Sequence, residues 1–228
     1  MTSGVTVDCG AVLFDMDGVL VDSSGVVERS WRSWALRHGI AESVLMPLIH
    51  GRRALETIAL VAPHLDAQAE WQVLIRQELE DTEGFRAFPG AAALAGALPA
   101  DRYAIVTSAP RSIAVDRLQR GAIRVPAVMV CAEDVTRGKP APDGYLLAAE
   151  RLGVAAADCV VVEDAAPGVQ AGLAAGMRVL GFTTTETAEA MRDATWVVPD
   201  ISCVTAQSPM AEPPATGPVR IRLDRVVG

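Results

Sequence analysis

The sequence predicts an α/β protein: a doubly wound, mostly parallel sheet carrying a small α-helical insert. Three observations lead there. Short, nearly continuous apolar runs recur along the chain, as strands buried on both faces of a parallel sheet require. Helical patterns separate most of these runs, and alternation of strand and helix is the signature of a doubly wound sheet. Between the first and second runs the alternation breaks for roughly ninety residues, too many for one crossover.

The elements follow in order. The predicted strands are "CGAVLF" (9–14), "YAIVT" (103–107), "AVMVC" (127–131), "CVVVE" (159–163), "RVLGF" (178–182) and "TWVV" (195–198). The predicted core helices are 89–98, 111–120, 142–153 and 166–176. Within the insert, residues 25–38 place Val27, Trp31, Trp34 and His38 near a 3.6-residue period, and 66–80 repeat this with Trp71, Leu74, Ile75 and Leu79. The helical spacing of the three insert tryptophans reads as a small core. The expected division is a core of 1–21 plus 87–205, a helical insert of 22–86, and a tail of 206–228. That tail is a Pro-rich linker ending in "VRIRLDRVV", whose alternation suits an edge strand or disorder.

Composition narrows the class. The chain has 228 residues, 50% hydrophobic and 21% charged, which is a soluble globular balance. A net charge of −8 with no basic stripe argues against nucleic acid and against an anionic membrane surface. No apolar run is long enough to span a bilayer, and the first residues lack a secretory pattern, so a cytoplasmic protein is expected. The expected assembly is a monomer or weak homodimer. The four cysteines (Cys9, Cys131, Cys159, Cys203) show no CxxC spacing and read as reduced and mostly buried.

Ligands of doubly wound sheets bind beyond the carboxyl ends of the strands. The first strand ends in Asp15, Met16, Asp17 and Gly18, the second in Thr107 and Ser108, and the fourth in Glu163 and Asp164. Lys139 follows the third. Lys139 is the only lysine among the 20 Lys+Arg residues. Four carboxylates at one rim repel one another and call for a hard, oxygen-liking cation, most naturally Mg²⁺. Other readings fail on spacing. "DMDG" continues as Val19, Leu20, Val21, which is no EF-hand. No G-x-G-x-x-G follows the first strand, and no G-x-x-x-x-G-K-[ST] occurs.

Taken together, "FDMDGVLVDS" (14–23), "IVTSAP" (105–110), "RGKPAPDGY" (137–145) and "VVVEDAAPGVQAGLAAGM" (160–177) resemble the four ordered motifs of the haloacid dehalogenase superfamily. The insert resembles that family's α-helical cap, and the nearest branch is the β-phosphoglucomutase-like one, close to the sugar phosphatases. The resemblance implies a nucleophile at Asp15 that forms an aspartyl-phosphate, and an acid and base at Asp17. It implies phosphoryl binding by Thr107 and Ser108, and charge neutralisation by Lys139. Mg²⁺ would be held by Asp15, the Asp17 carbonyl and Asp164, with Glu163 either a ligand or a partner behind one. His50, Gly51, Arg52 and Arg53 would form a substrate loop in the cap, and Arg111 would touch the leaving group.

Local residues choose among the family's chemistries. Asp17 favours phosphoryl transfer over dehalogenation. The cap has no lysine, which closes the Schiff-base route of the phosphonate hydrolases. A histidine and an arginine of the β-phosphoglucomutases are matched here by Val27 and Ala54, which favours water as acceptor. The expected partner is therefore a small phosphorylated metabolite, a sugar or polyol phosphate, and the expected reaction is hydrolysis. A non-catalytic binding protein on this fold would have lost Asp15, Asp17, Lys139 or Asp164, and all are present.

Overall fold

The structure is a computed structural model that describes residues 4–49, 52–207 and 218–227. The chain opens with β1 (Val5–Cys9) and β2 (Ala11–Phe14), separated by Gly10. The insert leaves and returns through a short antiparallel ribbon, β3 (Val21–Asp22) and β4 (Arg86–Ala87). Between them lie α1 (Ser24–His38), α2 (Glu42–Leu45), α3 (Ala54–Val61) and α4 (Ala67–Glu80). Asp66 caps α4 by accepting from the amides of Gln68 and Ala69. Then follow α5 (Ala91–Ala97), β5 (Tyr103–Val106), α6 (Arg111–Arg120), β6 (Val128–Val130), α7 (Asp143–Leu152) and β7 (Cys159–Glu163). The chain continues with α8 (Ala166–Ala174), β8 (Arg178–Phe182), β9 (Trp196–Val198), β10 (Val204–Ala206) and β11 (Val219–Leu223).

Six strands form one parallel sheet in the order β6-β5-β2-β7-β8-β9. Alternate residues enter opposite cores, as a period of two demands. Val12, Phe14, Ile105, Val160 and Val162 pack on one face. Leu13, Ala104, Val106 and Val161 pack on the other, under α7 and α8. β2 lies centrally, with Phe14 level with Ile105 on one side and Val162 on the other. The residue after Phe14 therefore emerges at the crevice where strand order reverses.

The insert has its own core, which contains Trp31, Trp34, Leu45, Ile58, Trp71 and Leu74. Trp34 is fully buried and its indole Nε1 donates to Glu70 at 2.8 Å. All four cysteines are buried thiols. Burial pushes Cys9 and Cys131 up to about 12 and Cys159 up to about 11, which removes their nucleophilicity near neutrality. No helix among the described residues is long and apolar enough to cross a membrane.

Two expectations are corrected. The first predicted strand, 9–14, shortens to Ala11–Phe14, and Val5–Cys9 before it is a further strand, not predicted, that belongs to a different sheet. The tail is no edge strand. β11 is the middle strand of a second, antiparallel sheet ordered β1-β11-β10. Val219, Ile221 and Leu223 are buried in the same cluster as Phe14, while Arg220 pairs with Asp8 on the outer face at 2.6 Å. The Pro-rich residues 208–217 lie outside the described residues. Because β11 fills core, Ile221→Ala is expected to cost about 3 kcal/mol. Urea unfolding measures this, and a loss below about 0.5 kcal/mol would mean the strand is dispensable.

Candidate active site

Each candidate side chain arrives from the carboxyl end of a central strand or the turn after it. Asp15 and Asp17 follow β2, Thr107 follows β5, Glu163 ends β7 and Asp164 comes next. Lys139 sits in the connection between β6 and α7. All of these except Asp17 are buried. The Lys139 ammonium lies 2.7 Å from Asp15 Oδ1 and 2.6 Å from Glu163 Oε1. The Tyr145 hydroxyl donates to the same Glu163 oxygen at 2.6 Å, and its ring lies 5.4 Å from the ammonium. The Asp164 amide donates to Glu163 Oε2 at 3.1 Å. Both Glu163 oxygens therefore have protein donors, which suits a group that orients Lys139 from behind.

Two glycines make room for these carboxylates. A Cβ on Gly18, whose φ is +78°, would overlap the Asp164 carboxylate, and one on Gly168 would overlap Glu163. Gly18 thus meets both a positive-φ backbone and a close approach.

One ammonium does not balance this cluster. Carboxylate oxygens of Asp15, Glu163 and Asp164 all lie within 4.8 Å of one another. Burial raises the Asp15 carboxyl to about 7, against the lowering effect of Lys139, with Glu163 and Asp17 raising it further. Asp164 is pushed well above the usual carboxylate range by burial, then by Asp15 and Glu163. Burial opposes the Lys139 charge, but Asp15 and Glu163 outweigh it and hold that pKa above the ordinary lysine value. A buried, oxygen-only donor set short of positive charge fits a hard divalent cation.

A cavity of about 480 Å³ opens above the cluster, between core and insert. Asp15, Asp17, Thr107, Ser108, Lys139 and Asp164 line its floor. Trp31 and Trp71, besides packing in the insert core, form part of its wall, as do Glu28 and Arg52. Thr107 Oγ1 accepts from the Ala109 amide at 3.0 Å, which fixes the turn after β5.

The structure redirects several expected residues. Arg53 does not line this cavity. Its guanidinium reaches Glu56 and the carbonyls of Val135 and Thr136, at 2.8 and 2.7 Å, so it fastens the insert to the β6–α7 connection. Arg111 is also elsewhere: its Nη2 donates to Asp134 at 2.6 Å and to the Met129 carbonyl at 3.1 Å. Carbonyls and carboxylates nearer than the cavity satisfied both guanidinium forks. His50 and Gly51 lie outside the described residues.

Sequence reasoning missed Tyr145, Glu78 and Arg117. Arg117 is 5% exposed and donates to Asp17 Oδ1 and Glu78 Oε2, each at 2.6 Å. Asp17 Oδ1 also accepts from the Ser23 hydroxyl at 2.6 Å. Arg117 lies on the face of α6 with Ile113 and Ala114, two buried neighbours at helical spacing. An arginine on an apolar face was the available signal.

A family model for haloacid dehalogenase-like hydrolases matches residues 9–176. The chain belongs to that family. It is 45% identical over 177 residues to hexitol phosphatase A of Escherichia coli (strain K12), covering 75% of this chain and 82% of that protein. It is 32% identical over 198 residues to glycerol-1-phosphate phosphohydrolase 2 of Saccharomyces cerevisiae, covering 81% and 78%. Among solved structures, a hydrolase from Pseudomonas syringae superposes with a TM-score of 0.75 at 22% identity, covering 84% of this chain and 94% of that one, a likeness of fold.

The raised carboxyls set a pH signature for chelator-treated protein. A carboxyl whose folded pKa exceeds its unfolded one binds more protons when folded. Its stabilisation is complete below about 3.8 and is lost as pH rises through about 7, the limits for Asp15. Thermal unfolding in EDTA is therefore expected at falling temperature from pH 4.5 to 7.5. Asp164→Asn, neutral at every pH, should raise the EDTA midpoint at pH 7.5 by roughly 3 °C or more. A flat wild-type profile would show that the cluster is not strained by its own charge.

Proposed function

We propose that this chain is a Mg²⁺-dependent phosphatase that hydrolyses a small sugar or polyol phosphate through an aspartyl-phosphate on Asp15. The observation that carries the reading is the buried Lys139 ammonium at 2.7 Å from Asp15, beside a cation-hungry carboxylate pair at the cavity floor. Relatives named as hexitol and glycerol-1-phosphate phosphatases support the substrate class.

Asp15, Asp164 and the Asp17 carbonyl would hold Mg²⁺, with Glu163 behind them. Bound there, the ion would neutralise phosphate charge and let a carboxylate approach it. Thr107 and Ser108 would receive the phosphoryl oxygens. As an Asp15 oxygen bonds to phosphorus, the ester P–O bond breaks, and a protonated Asp17 passes its proton to the departing alkoxide. Water then attacks the aspartyl-phosphate. Asp17 takes a proton from that water, the bond between Asp15 and phosphorus breaks, and inorganic phosphate leaves. Lys139 stays against Asp15 throughout and offsets the charge that gathers there.

Val27 and Ala54 both line the cavity. They present apolar surface at the two positions where a phosphomutase of this family would hold a histidine and an arginine. Water is thus the acceptor we favour.

A panel of phosphate esters with Mg²⁺, read by released phosphate, tests the reading. Hexitol and glycerol phosphates are expected to turn over, and Asp15→Asn to lose at least ~10³-fold in kcat. Conversion of a sugar 1-phosphate to its 6-phosphate isomer without phosphate release would make the protein a mutase instead. Lys139→Arg is expected to fold and yet lose about 10²-fold or more, because the pocket between Asp15, Glu163 and Tyr145 suits a compact ammonium. Near-wild-type turnover in that variant would reduce Lys139 to a generic cation.

A further inference from the structure

Arg117 belongs to α6 of the core, yet its guanidinium spans core and insert. Nη1 holds Asp17 at 2.6 Å, and Nη2 holds Glu78 of α4 at 2.6 Å. The Arg117 side chain is 6% exposed and that of Glu78 14%, whereas the Asp17 side chain is 30% exposed. Both Arg117 and Ser23 bind Asp17 through Oδ1, so Oδ2 lies outside these two contacts. Ser23 sits on the insert's outgoing stem, between β3 and α1. Asp17 is thus anchored through one oxygen by two groups, each tied to the insert, while it lines the cavity.

A proton donor to a leaving oxygen must be aimed, since a misplacement of about 1 Å can cost about 10²-fold in rate. A planar fork with two carboxylates aims better than a flexible ammonium. We propose that Arg117 is a positioning residue: it aims the Asp17 carboxyl at the ester oxygen, and Glu78 of the insert holds Arg117 in place. This rests on the phosphatase reading above.

The two roles open to Arg117, aiming Asp17 or merely fastening α4 to α6, separate by leaving group. An alkyl ester needs its departing oxygen protonated, while p-nitrophenolate leaves well without help. The experiment compares kcat on glycerol 1-phosphate and p-nitrophenyl phosphate, with Mg²⁺, for wild type and variants. Arg117→Met is expected to lose about 10²-fold on the alkyl ester and at least tenfold less on the aryl ester. Arg117→Lys should recover part of the alkyl loss, and Glu78→Gln should shift the alkyl-to-aryl ratio the same way by a few fold. If Arg117→Met fails to fold because it strands the buried Glu78, Arg117→Met/Glu78→Gln removes that unpaired charge and carries the same comparison. Equal fractional losses on both esters, or an unchanged alkyl rate, would overturn the proposal. Wild type inert towards both esters would instead overturn the phosphatase reading.

Discussion

A single buried ammonium organises the site. Lys139 lies against Asp15 and Glu163 and faces the ring of Tyr145. Burying a charge without partners would be prohibitive, so these contacts must all form together. They join β2, β7, α7 and the connection after β6. The strand ends bring the carboxylates together, and those carboxylates are what allow the ammonium to be buried between them.

The arginines do the opposite kind of work. Arg53 reaches from insert to core carbonyls, and Arg117 from core to an insert carboxylate. Arg124 gathers the Ala95 and Leu98 carbonyls and stacks over Tyr103. Each uses the planar fork to satisfy several acceptors across a seam, which a point charge cannot do. The compact cation occupies the crowded anionic pocket, and the forks fasten elements to one another.

The insert acts on the cavity through the same residues that stabilise it. Trp31 and Trp71 belong to its hydrophobic core and also to the cavity wall. The shape of the binding space is then set by packing inside the insert, so substitutions there would alter substrate fit and stability together.

The six strands of the main sheet, the helices between them and the order in which Asp15, Thr107, Lys139 and Asp164 reach the rim were legible in the sequence. Each depends on local patterning and on the rule that a parallel sheet collects its carboxyl ends on one side. The partners of long side chains were not legible. Arg53 and Arg111 read as substrate contacts and meet nearer acceptors, while Arg117, inside the predicted helix 111–120, drew no reading and reaches Asp17. The alternation of residues 219–223 announced a strand but not its neighbours, and it became the centre of a second sheet by burying Val219, Ile221 and Leu223 against the first. Periodicity is a property of adjacent residues, so the sequence by itself determined the main-sheet strands, most of the helices between them and the order in which the motif residues reach the rim. Which guanidinium meets which carboxylate is settled by residues far apart in the chain, and only the tertiary structure brings them within reach.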